Sequence, residues 1–353
     1  MANPDETQPI RHKKQNKALL VVISIIVGGL IIACGVYFFW LRPLLNTPLG
    51  DPFDSTLENS AEVVSTGQNA EKGTIGSNNA VCGDEDEWLV LVVGIDYREG
   101  DYLYGLADAI RIVRVDFTKP ELNVVALPRA LFIENPGPRL DVDTPILLNQ
   151  SYFFGTSGMG HFSGSGYGAG ALAETLQINF DIGIDHYLVV DFAAFKNFIY
   201  LIGGVQINLP EPIYITESEG PYFPAGVQIL DGEKALQFAR ARAYSSDNIR
   251  INNQTLLLQA IFQRLQDPEV LKYLPDLLDS ISNMILTDVS LADMQTAICL
   301  VDKLSSDSIN FYNPDSDLIE TGREFIPSMG KEMDIFYWDQ ALTDWIKASL
   351  WVE

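Results

Sequence analysis

Cationic side chains are scarce in this sequence: 23 Lys and Arg stand against 47 Asp and Glu in 353 residues, a formal net charge of −24. An acidic surface of this kind repels the phosphate backbone and excludes nucleic acid as a partner. Cysteine and histidine are equally sparse, three of each. No C-x-x-C or H-E-x-x-H occurs, so neither a disulfide framework nor metal binding by thiolate or imidazole is expected. A hard cation held by carboxylates remains compatible.

Long apolar runs are also rare, with one exception. Residues 18–41, ALLVVISIIVGGLIIACGVYFFWL, carry no charge and are long enough to cross a bilayer as a helix. Arg11, Lys13, Lys14 and Lys17 precede the run; after Arg42 no Lys or Arg occurs until Lys72. The positive-inside rule puts residues 1–17 in the cytoplasm and the rest outside, in a single-pass protein of the cell membrane. A cleaved signal peptide fits less well, because the run is long and ends in Phe38-Phe39-Trp40. The lipoprotein-like Ile31-Ile32-Ala33-Cys34 is followed by further apolar residues. Residues 42–85 are rich in Ser, Asn, Gly, Thr and acids, and read as a flexible linker spanning about 35–40 Å. Residues 86–353 read as one extracytoplasmic domain.

Within that domain WLVLVVGID, from Trp88, has the near-continuous apolar texture of a central strand. AIRIVRVDF and LNVVALPR flank the turn TKPE and predict an antiparallel hairpin. A Gly-rich loop over 155–170 follows, then helix, strand, helix and strand, a mostly helical stretch over 231–300, and a tail of short strands and a last helix. Interleaved elements with some antiparallel pairing predict a mixed α/β fold, a parallel and antiparallel central sheet flanked by helices.

This topology brings charges together. Asp96 ends the first strand, Asp108 begins the second and Arg129 ends the third, so all three fall on one sheet edge. Two carboxylates there suit Mg²⁺ that keeps most of its waters; the plainer reading is that both acids cap turns. The scarce cations also gather in ALQFARARAYSSDNIRINNQTLLLQAIFQRL, residues 235–265. Extended ARAR would point Arg240 and Arg242 the same way, and Asp247 is a candidate N-cap of the next helix. In that helix the stripe Leu257, Leu258, Ile261, Phe262, Leu265 continues backwards to Gln254 and Arg250, which should face inward at the first turn. A cation there opposes the helix dipole by about 0.3–1 kcal/mol, a conflict that a bound phosphate or pyrophosphate would relieve. The alternative is a solvated basic patch.

These segments together resemble the LytR-CpsA-Psr family of bacterial cell-envelope proteins. VVGIDYR is similar to the family's opening Gly-x-Asp-x-Arg strand, LADAI stands where the family has Arg-Ser-Asp-Thr, and ALPRA where it has Ser-Ile-Pro-Arg-Asp. LLNQSYFFG, DHYLVVDFAAFKNFIYLIGGVQINLP, LDGEKALQFARAR and DNIRINNQ follow in the family's order and spacing. The resemblance implies a membrane-anchored phosphotransferase that moves a glycopolymer from a polyprenyl-pyrophosphate carrier to peptidoglycan or another wall acceptor. It further implies that Asp96 and Asp108 hold Mg²⁺, and that Arg129, Arg240, Arg242 and Arg250 grip the pyrophosphate. Arg98, Asp247 and Gln254 complete the candidate substrate-binding set, and the lipid would fill an apolar tunnel between sheet and helices.

Four positions depart from the family pattern. Leu106 replaces an Arg, Ala130 an Asp, Leu147 a Lys and Asn253 an Arg. The missing Asp is a candidate base for the acceptor hydroxyl, so the alternative function is a degenerate member that binds the lipid-linked glycan as a scaffold or carrier without transferring it. A transcriptional role conflicts with a 17-residue cytoplasmic tail. His186 reads as a structural strand-edge residue, the Gly-rich loop as an acceptor or lid loop, and Cys82 with Cys299 as a candidate disulfide that sequence alone leaves open.

Overall fold

The computed structural model describes residues 80–83, 85–97, 105–213, 223–241, 247–273, 277, 280 and 285–352. The predicted tail, membrane segment and all but the end of the linker lie outside these residues. Among the described residues no helix is long and apolar enough to cross a membrane.

A six-stranded sheet organises the domain. Its central strand β1 (Glu87–Ile95) pairs antiparallel with β2 (Ala107–Asp116), which pairs antiparallel with β3 (Glu121–Leu127). On its other side β1 runs parallel to β6 (His186–Val190). The edges are β10 (Ile309–Tyr312), parallel to β3, and β9 (Ile285–Thr287), antiparallel to β6. The order β10-β3-β2-β1-β6-β9 is the mixed sheet the sequence predicts. Between β3 and β6 lie the two-residue strands β4 (Phe132–Ile133) and β5 (Ile146–Leu147), then α1 (Leu148–Gly155) and α2 (Tyr167–Phe180).

The two sheet faces are treated differently. On one, Leu91, Val93, Ile110, Ile112 and Val125 pack against α1, α2 and the last helix, α8 (Gln340–Leu350), in the largest core. The Gly-rich segment belongs partly to this layer. Sequence predicts a loop as far as Gly170, but α2 already begins at Tyr167. A Cβ on Gly168 would lie 2.7 Å from the Tyr152 carbonyl oxygen. Close helix approach, rather than loop freedom, accounts for the glycine there.

Over the other face lie α3 (Phe192–Leu201), α4 (Gly232–Arg240) and α5 (Asp247–Leu265). Asp191 caps α3 by accepting the Ala194 N–H, and Asp231 caps α4 by accepting the Lys234 N–H. These helices and the hairpin β7 (Val205–Leu209)–β8 (Gly226–Leu230) share a second core around Ile199, Phe238 and Leu257. After the short α6 (Pro268–Leu271) and β9 comes α7 (Leu291–Lys303). The chain then forms the hairpin β11 (Glu320–Ile326)–β12 (Lys331–Tyr337).

Cys82 and Cys299 are joined in a disulfide across 217 residues of sequence. The bridge sits in a small core with Trp88, Phe117, Leu300 and Leu304, and Val81 donates its N–H to the Phe117 carbonyl. Residues 80–83, which sequence assigns to the linker, are therefore packed onto the domain.

Candidate functional site

Strand alternation and a bulge build the site. A register shift between Gly94 and Ile95 distorts β1 against β2, and the Asp96 N–H then bonds the Leu106 carbonyl. The Asp96 carboxylate accepts the Leu106 N–H in return, at 2.7 Å. Asp108 pairs with the Arg129 guanidinium from the end of β3. The predicted convergence of three strand ends is thus present, and each acid also serves a local structural bond.

Beneath α3, α4 and α5 the second sheet face is not filled. A cavity of about 600 Å³ lies there, in a molecule class whose interiors normally leave few voids larger than a water. Val92, Leu188, Phe195, Phe198, Leu257, Leu258 and Ile261 are among its apolar walls. Asp108, Asp191, Arg240, Arg250 and Gln254 are among its polar groups. Apolar enclosure with a few convergent polar groups is the usual build of a ligand site.

The helical stripe places Arg250 and Gln254 inward as expected, with Arg250 only 3% exposed. Arg240 differs from expectation in its backbone. It is the last residue of α4, not part of an extended ARAR segment, and extended geometry begins at Ala241. Its guanidinium lies 5.0 Å from the Phe192 ring centroid, a cation–π contact at the cavity wall. Asp247 is the first residue of α5 rather than a residue preceding it; its side chain, like Arg98 and Arg242, lies outside the described residues.

One site residue escapes the sequence reading. Arg111, in mid-β2, is 3% exposed and lines the same cavity. It donates to the Ile110 carbonyl at 3.0 Å, to the Ile251 carbonyl at 3.4 Å and to Gln254 Oε1 at 3.2 Å. Burial, and then the neighbouring Arg250 charge, lower its pKa to about 10, so it stays protonated at neutral pH. The signal was present: Arg111 is in phase with Ala109 and Val113 in a central strand, where a charge is costly.

The four departures are structurally absorbed. Asn253 donates to the Ala241 carbonyl at 3.2 Å and pins the end of α4. Leu147 packs with Ile326 and Ile335 of the β11–β12 hairpin. The Ala130 carbonyl accepts the Phe336 N–H, and Leu106 is held by Asp96. His186, at the start of β6, lies 3.6 Å from an Asp288 carboxylate oxygen. The neighbouring Asp288 carboxylate raises its pKa, and its place at the start of β6 is the strand-edge position sequence assigns it.

The model of the LytR_cpsA_psr family matches residues 54–324. This chain belongs to that family. Its relatives within the LytR_cpsA_psr family include the polyisoprenyl-teichoic acid–peptidoglycan teichoic acid transferase TagU of Oceanobacillus iheyensis, 25% identical over 307 residues, 83% of each chain. TagU of Bacillus subtilis is 22% identical over 287 residues, 80% of this chain and 82% of its own. The crystal structure of B. subtilis TagV shares the fold, with a TM-score of 0.58 at 20% identity, covering 75% of this chain and 96% of that one. A structure of TagT bound to LIIa-WTA has a TM-score of 0.55 at 18% identity, over 75% of this chain and 90% of that one. The fold of these structures is accordingly the fold of this domain.

Proposed function

We propose that this protein transfers a glycopolymer from a polyprenyl-pyrophosphate carrier to peptidoglycan or another wall acceptor. The single observation that carries this reading is the composition of one cavity. An apolar chamber between sheet and helices joins a polar set that includes Arg240, Arg250, Gln254 and Asp108. A phosphorylated lipid has that same division into chain and head. The names of the relatives, polyisoprenyl-teichoic acid–peptidoglycan transferases, point to the same substrate class.

In the reaction, the acceptor hydroxyl oxygen bonds to the sugar-linked phosphorus and the bridging P–O bond breaks. Polyprenyl monophosphate leaves, and the hydroxyl proton passes to water. Arg240, Arg250 and Arg129 neutralise charge developing on the leaving phosphate, Gln254 orients its oxygens, and Arg98 and Arg242 add to the grip. The α3–α5 walls keep the lipid chain from water. Asp96 and Asp108 are the residues that would hold Mg²⁺. Both are hard oxygen donors, one just past the end of β1 and the other at the start of β2. That suits a cation that retains waters and takes its remaining ligands from phosphate; bound, it would supply further charge neutralisation. We place the domain outside the cell, anchored by residues 18–41, where its substrate would lie in the same membrane.

One observation favours a second reading, a binding protein without turnover. The backbone of Ala130 is bonded to β12, and its side chain offers no base. Purified full-length protein in detergent with Mg²⁺ and a polyprenyl-pyrophosphate-linked glycan distinguishes the two. Release of polyprenyl monophosphate, abolished in Arg240→Ala, supports transfer. Tight binding without release supports the carrier, and loss of both overturns each reading.

A further inference from the structure

The cavity holds a cation that the family's pyrophosphate grip does not include. Arg111 is buried on the cavity face of β2, opposite Val92 of β1. All three of its acceptors are neutral: two backbone carbonyls and an amide oxygen. The charged group that perturbs it is another cation, Arg250. Two guanidinium charges lining one largely apolar cavity repel each other and forfeit hydration. Holding α5 against the sheet does not require this, since a neutral donor would satisfy Ile251 and Gln254 with less desolvation. What a neutral donor would not supply is charge. Through Gln254, whose Nε2 donates to the Ala239 carbonyl at 3.5 Å, Arg111 also connects β2 to the helix that carries Arg240.

We propose that Arg111 is an anion-binding residue of the cavity, gripping, together with Arg250, a phosphate of an isoprenoid phosphate or pyrophosphate so that the head is drawn against the sheet. This rests on the reading of the cavity as a lipid-phosphate site. Arg111 brings back, from the strand, cationic contact that Leu106, Leu147 and Asn253 no longer provide. The guanidinium fork suits a phosphate oxygen pair, and the apolar surroundings strengthen the attraction.

The test uses the full chain in detergent with two probes, geranylgeranyl pyrophosphate and geranylgeraniol, which share a tail and differ in the head. Binding is measured by calorimetry beside thermal unfolding. Arg111→Met should weaken the pyrophosphate about 10- to 100-fold while leaving the alcohol within about twofold. It should also raise the melting temperature of the ligand-free protein, because a repelling buried charge is removed. Arg111→Lys keeps the charge without the fork and should show a smaller loss, again for the pyrophosphate alone; it decides the matter if Arg111→Met does not fold. Equal effects on both probes, or none while Arg240→Ala still weakens the pyrophosphate, would make Arg111 structural and overturn the proposal alone. If the wild type binds neither probe, the lipid-phosphate reading falls as well.

Discussion

Removing the Cys82–Cys299 disulfide should cost more stability than any single cavity substitution. The bridge ties together residues 217 positions apart, so it restrains most of the domain in the unfolded state. Loop-closure entropy for a ring of that size amounts to about 5 kcal/mol at 25 °C. Native packing should change little, because Trp88, Phe117, Leu300 and Leu304 hold both ends in the same small core. The loss is therefore an unfolded-state effect, and residual structure in that state makes the figure an upper one. For a domain of this length it corresponds to a fall in melting temperature of about 10–20 °C. Paired Cys82→Ala and Cys299→Ala substitutions, compared with wild type by calorimetry with and without reductant, read the effect directly. Wild type in reductant should melt like the double variant. A difference below about 2 °C would refute the loop-entropy reasoning.

Three further outcomes follow from the site. Arg240→Ala should weaken a prenyl pyrophosphate about 10- to 100-fold; stability, read by urea unfolding, should fall by only about 1 kcal/mol, since one cation–π contact with Phe192 is lost. Ala239→Phe places a ring in the cavity and should abolish binding of a long prenyl chain while leaving inorganic pyrophosphate affinity within about threefold by calorimetry. The His186–Asp288 interaction raises the histidine pKa, so its stabilisation is complete below the unfolded value of about 6.5 and fades as pH rises through the folded value. The stability gap between wild type and Asp288→Asn should accordingly narrow with rising pH, which denaturation at several pH values would show.

The sheet edge and the inward face of α5 were legible because their cause is periodic. Alternation along β1 and β2 and the short turn over 117–120 fix which strand ends meet, and the 3.6-residue stripe carries Arg250 and Gln254 inward. Arg111 was harder to see because AIRIVRVD holds two arginines of opposite phase. Arg114 pairs with Glu87 and Asp116, whereas Arg111 points into the cavity; only knowing which face is enclosed separates them. Gly168 reads as a loop residue because glycine disfavours helices, yet contact with Tyr152 overrides the local preference. Arg240 was assigned to extended chain because nothing local marks where α4 stops. The disulfide depends on Cys82 and Cys299 meeting at a 6.0 Å Cα separation, a consequence of the completed fold that no local pattern encodes.

The central claim is that a single cavity takes a lipid chain and its phosphates together. A crystal structure of the protein with a prenyl pyrophosphate tests it most directly. The account predicts the isoprenoid along Phe195, Leu257 and Ile261 and the phosphates between Arg240, Arg250 and Asp108. Density for the ligand elsewhere, or a head group turned away from those arginines, would contradict it.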